Sequence, residues 1–190
     1  MSQVASAHLV PVERLPPLCD AGDVADFLAA STLRCLEFDC PGWFVVAAMS
    51  FLGEIGVDLR EQTVSSKALT DRLGATCAVF THDSGTNGLA LLRTTRINVE
   101  RLVAHEARLR GEDSADPDNA IPLKAALRFL YAMLHAIGPD EAAVLIVEQR
   151  PATDEEAPKP KVQYTPAPPV VRRRRWKGLF GGILPERSDD

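Results

Sequence analysis

The chain has 190 residues, 46% of them hydrophobic, and a formal net charge of −5. That length allows one domain with appendages, and a folded body of roughly 150 residues buries about 68–70% of its unfolded surface, enough for a real core. Four cysteines without a C-x-x-C spacing (Cys19, Cys35, Cys40 and Cys77) speak against a disulfide framework and read as reduced thiols of a cytoplasmic protein.

The N-terminal stretch has no basic region followed by an apolar core, so no secretory signal is expected. Residues 1–19 carry Pro11, Pro16 and Pro17 and read as an extended lead-in to a globular domain over 20–150. A helix is expected from Asp20 or Asp23, with Val24, Phe27, Leu28 and Ser31 on one face. Cys40-Pro41-Gly42 punctuates the chain. The run Trp43 to Leu52 is apolar on nearly all sides, and is too short for the ~20 residues of a membrane span. It reads as a core helix or a buried strand.

Ser65 to Gly74 reads as a short helix, with a serine cap and Gly74 as its left-handed stop. Thr76 to His82 and Leu89 to Thr95 look like two strands, and the stretch between them, Asp83-Ser84-Gly85-Thr86-Asn87-Gly88, is rich in residues that tolerate positive φ. The pattern predicts a β-hairpin with a long loop. Asn98 caps a further helix that Gly111 stops after Arg110, and residues 112–119 form an acidic loop. A last helix begins near Asn119, with Pro122 in its first turn and Leu123, Leu127, Leu130 and Leu134 at helical spacing. Ala143 to Val147 is a candidate final strand. The expected body is therefore α+β and helix-rich, with about five helices, one hairpin and this further C-terminal strand.

Charge is unevenly spread. Residues 1–150 hold 13 Lys and Arg against 20 Asp and Glu, whereas residues 151–190 hold 8 against 6. Six prolines fall within residues 151–170, so 151–171 is expected to be a disordered linker unable to bury enough apolar surface to offset its ordering entropy. Beyond it, residues 172–190 carry a basic–aromatic motif: Arg172, Arg173, Arg174, Arg175, Trp176 and Lys177, followed by Leu179, Phe180, Ile183 and Leu184. At about 1 kcal/mol per cation near an anionic leaflet, the five cations contribute up to roughly 5 kcal/mol to membrane binding. Trp176 suits the headgroup interface, and the apolar pairs can insert. The same residues suit a protein groove, with Trp176, Leu179 and Phe180 as anchors. Phosphate contact with nucleic acid is the alternative, but it leaves the apolar pairs without a task.

Within the body, Asp83-Ser84-Gly85-Thr86 resembles the catalytic turn of aspartic proteases, in which paired carboxylates share a proton. The resemblance covers four residues, with no second copy and no apolar strand before it. Ser65 to Gly74 followed by a hairpin resembles part of a winged-helix DNA reader, without a recognition helix of several turns. His8, His82, His105 and His135 are scattered, and none has a ligand partner at metal-site spacing. No catalytic residue, cofactor or metal is therefore assigned. The expectation is a non-enzymatic adaptor or regulatory protein, cytoplasmic and peripherally membrane-associated, that meets an anionic membrane surface or a partner protein through its tail. Self-association is allotted to the body. A nucleic-acid-binding regulator is the alternative.

Overall fold

A computed structural model describes residues 2–59 and 64–150. The described chain is α+β. In order it runs β1 (Ser2–Pro11), α1 (Leu15–Asp20), α2 (Val24–Ser31), β2 (Arg34–Phe38), α3 (Trp43–Glu54), α4 (Val64–Leu73), β3 (Thr76–Thr81), α5 (His82–Thr94), α6 (Val99–Arg110), α7 (Ala120–Ala136) and β4 (Glu141–Arg150). The four strands form one antiparallel sheet in the order β2-β1-β4-β3.

Helices cover both faces of the sheet, which explains its composition. Along β4 every residue from Ala142 to Val147 is buried, because neither face is left to solvent. Ala5, Ala7, Leu9, Phe80, Ala143, Leu145 and Val147 point to a core shared with α3, α6 and α7. Val10, Val79, Ala142, Val144 and Ile146 point the other way, onto Leu15 and Leu18 of α1, Val24 and Leu28 of α2, and Leu69 of α4. The strand period of two thus sorts one sheet between two hydrophobic layers.

Several expected signals act as read. The Asp23 side chain accepts from Asp26 N at 3.0 Å and starts α2; Asn98 accepts from Arg101 N at 3.0 Å and starts α6. Gly111, at φ 73°, ends α6 in the left-handed conformation that costs other residues most. The apolar run at 43–52 is a helix, α3, with Ala47, Ala48 and Leu52 fully buried. No helix among the described residues is long and apolar enough to cross a membrane.

Three expectations are corrected. First, there are seven α-helices among the described residues rather than about five; α1 and α5 are the additions. In α1, Pro16 and Pro17 occupy the first turn, where a missing N–H leaves no bond unmade. Second, no hairpin spans 76–95: β3 is followed directly by α5, and β3 pairs instead with β4. A capping box starts α5, with Thr81 N donating to Ser84 Oγ at 2.8 Å and Ser84 N to Thr81 Oγ1 at 3.4 Å. Gly85 and Gly88 do not take positive φ. They are buried where α5 meets α7, and a Cβ on Gly85 would stand 3.0 Å from Ile137 Cδ1 and 3.3 Å from the Leu134 carbonyl oxygen. These glycines serve close helix packing, not a turn. Third, residues expected as a lead-in are built into the sheet, since β1 lies between β2 and β4 and pairs with β4 from Ser2↔Arg150 to Pro11↔Glu141.

The two sheet edges differ. Along β3 the N–H groups of Cys77, Val79 and Thr81 donate to the hydroxyls of Thr70 (3.3 Å), Ser66 (3.0 Å) and Ser84 (2.8 Å). Alternate donors of that edge are thus satisfied by side chains of the flanking helices, which blocks a further strand from adding there. The β2 edge is protected by exposure of charge instead, with Arg34 and Glu37 at the surface.

Candidate functional site on the sheet face

The basic–aromatic residues 172–177, 179, 180, 183 and 184 lie outside the described residues, as does the linker before them. The described body brings together two polar clusters that the sequence reading did not assemble.

The first is on the face of the sheet that carries α1, α2 and α4. Ser6 and His8 are two apart on β1, so they share that face. Ser6 Oγ and His8 Nε2 are 3.0 Å apart, and His8 Nδ1 is 3.2 Å from Thr32 Oγ1 at the end of α2. The direction of this chain follows from its last link. Thr32 Oγ1 donates to the Leu28 carbonyl at 2.7 Å, so its single hydroxyl proton is committed. Thr32 therefore accepts from His8 Nδ1–H. That tautomer leaves Nε2 with its lone pair, facing the Ser6 hydroxyl. The result is a serine donating to a histidine whose far nitrogen is held by a third group.

Cross-strand registry fixes the surroundings. Glu37 of β2 and Ile146 of β4 flank Ser6, Cys35 and Val144 flank His8, and Glu148 sits opposite Val4. The covering helices close over Val79, Ala142, Val144 and Ile146. Cys35, Glu37 and Glu148 are exposed, while Ser6, His8 and Thr32 are partly exposed. Burial of the His8 ring pushes its pKa below the ordinary 6.5, outweighing the upward pull of Glu148 and Glu37. His8 is thus an uncharged base at neutral pH. Burial, with the Glu37 charge beside it, pushes the Cys35 thiol up, so Cys35 is the protonated neighbour rather than a thiolate.

The second cluster ties α3 to α6. Glu106 is fully buried, and its carboxylate accepts from Trp43 Nε1 (3.0 Å), Asn119 Nδ2 (3.0 Å) and Arg110 Nε (2.5 Å). Asn119 was expected as the helix cap of α7; its side chain makes no cap bond and is spent on Glu106 instead. Next to it, buried His105 places Nδ1 3.1 Å from Glu54 Oε2 and 2.7 Å from the Arg108 guanidinium, while Nε2 has no hydrogen-bond partner. One ring nitrogen thus faces an acceptor and a donor at once, and either tautomer leaves one contact unmet. This cluster is an internal clamp. The Glu106 carboxylate accepts from three donors and is fully buried.

The other sequence candidates are structural. Asp83-Ser84-Gly85-Thr86 lies at the start of α5, where Thr81 is the cap and Ser84 its reciprocal partner in the capping box. His82 Nδ1 meets the Ile137 carbonyl at 3.0 Å and fastens α5 to the end of α7. Cys19, Cys35, Cys40 and Cys77 are free thiols, and burial pushes Cys77 up to about 11. Among the described residues no cluster of His, Cys, Asp and Glu has the makings of a metal site.

No protein-family model matches the chain, and no curated protein matches it. Among solved structures it is similar to the crystal structure of YfbM from Escherichia coli, described as a protein of unknown function. The identity is 11%, the match covers 76% of this chain and 99% of that one, and the TM-score is 0.44.

Proposed function

We propose that the chain is an adaptor or regulatory protein that its C-terminal segment recruits to an anionic membrane surface. The observation that carries this reading is the juxtaposition in residues 172–184 of five cations within six residues, a tryptophan, and the apolar pairs Leu179-Phe180 and Ile183-Leu184. Cations draw the segment to acidic headgroups, and the apolar pairs supply the burial that charge alone lacks. The DNA-reading form of the body loses support, because the wing it requires is the helix α5.

The test is sedimentation of full-length protein with vesicles containing phosphatidylserine, against phosphatidylcholine alone, and against a variant with Arg172, Arg173, Arg174 and Arg175 replaced by Ser. Binding to the acidic vesicles only, falling with salt and lost in the variant, is expected. Equal, negligible sedimentation in every arm refutes the membrane reading and leaves a protein groove as the segment's target. Salt-sensitive binding to single-stranded DNA with no vesicle binding assigns the segment to nucleic acid.

A further inference from the structure

We propose that Ser6 is an activated nucleophile, with His8 as its general base and Thr32 as a positioning residue, and that this site acts on uncharged or cationic carboxylic esters. The proposal goes beyond recruitment by the tail and departs from the non-enzymatic expectation. Three observations carry it. The hydrogen bonds run in one direction, from Ser6 Oγ to His8 Nε2 and from His8 Nδ1 to Thr32 Oγ1, because Thr32 is itself committed to the Leu28 carbonyl. That order of nucleophile, base and orienting group is what serine activation requires. The group is partly exposed, and among the described residues the helices close over the neighbouring apolar positions without sealing it. Its rim carries Glu37 and Glu148, which disfavour an anionic substrate and favour a neutral or positively charged one.

The chemistry balances with water as the co-reactant. Ser6 Oγ adds to the ester carbonyl carbon as its proton moves to His8 Nε2. The bond from that carbon to the alkoxy oxygen breaks, and the departing oxygen takes the proton from His8, leaving acyl-Ser6 and an alcohol. A water molecule then gives a proton to His8 and adds to the acyl carbon. Ser6 leaves with that proton, and a carboxylic acid is released.

The experiment uses the full chain carrying Cys35→Ser, to remove the exposed thiol as a rival nucleophile, with p-nitrophenyl acetate as the probe. Release of p-nitrophenolate is followed against pH, and the acetylated residue is located by peptide mass spectrometry. Acetyl on Ser6 is expected, with label and turnover lost in Ser6→Ala. His8→Gln should lower the rate by about 10²–10⁴-fold, the usual contribution of a general base. The rate should rise with pH to a plateau reached through a titration below 6.5, following burial of His8. Thr32→Val should lower the rate and disturb that profile, and Thr32→Ser should restore both; a merely structural threonine would not move the profile. Thermal melting of each variant separates loss of fold from loss of chemistry. Acetylation confined to lysines, or a folded Ser6→Ala variant that retains the rate, overturns the proposal.

Discussion

Glu106 is a carboxylate with no exposed surface, and the response of the fold to losing its counter-charge can be worked out. Replacing Arg110 by Ala removes the 2.5 Å ion pair and leaves the charge with the neutral donors Trp43 and Asn119. Breaking a buried pair from one side costs about 3–5 kcal/mol. The Arg110 side chain is 39% exposed, so water reaches the gap and the lower end, about 3 kcal/mol, applies. The guanidinium also lies 5.9 Å from the centre of the Phe44 ring, which adds about 0.5–1 kcal/mol. Glu106→Gln removes the charge itself. Its amide oxygen still accepts from Trp43, and Asn119 can turn to accept from its amide nitrogen, so about 1–2 kcal/mol is expected. The double variant needs no counter-charge and should be more stable than Arg110→Ala alone, with a coupling of at least ~1 kcal/mol. Urea unfolding at pH 7, with midpoints compared at constant slope, measures all three. A cost below ~0.5 kcal/mol for Arg110→Ala, the scale of an exposed surface pair, refutes the idea that this carboxylate is held as a buried charge.

Further outcomes follow from other parts of the fold. Asn87→Ala, on the exposed side of α5, should stabilise by up to about 0.5 kcal/mol in a urea melt, because alanine is the better helix former; a loss would favour the turn that the sequence suggested. Ser66→Ala should destabilise by roughly 1–3 kcal/mol, since it strands the buried Val79 N–H. His8 has a folded-state pKa below its unfolded 6.5, so the unfolded chain binds the extra proton. Its contribution is present above pH 6.5 and is lost as pH falls through the folded value; urea midpoints from pH 7.5 to 5 should show this loss, smaller in His8→Gln.

The parts of the fold that the sequence revealed are those with strong periodicity or a cap. Leu123, Leu127, Leu130 and Leu134 announce α7, and Asn98 with Gly111 brackets α6. The parts it concealed share a cause: small residues that mean one thing locally and another in the packed structure. Gly85 and Gly88 read as turn residues, yet they let α5 approach Leu134 and Ile137, a contact visible only once α7 is in place. Ala5 and Ala7 alternate as a strand should, but alanine carries little strand signal, so a central strand passed for a lead-in. The Ser6–His8 spacing was present in the sequence as a period of two. Thr32, which sets the tautomer, is 24 residues away and is brought in only by the packing of α2 on β1. Likewise Trp43, Glu106 and Asn119 are dispersed in sequence and meet only across α3, α6 and the turn before α7.

The recruitment account is tested most directly by tryptophan fluorescence. The chain has two tryptophans, Trp43 in the body and Trp176 in the basic segment. Insertion of the segment predicts a blue shift on adding phosphatidylserine vesicles to the full chain, and no shift in Trp176→Phe, whose remaining Trp43 is held by Glu106. A spectrum unchanged by acidic vesicles, or a shift that persists in Trp176→Phe, contradicts it.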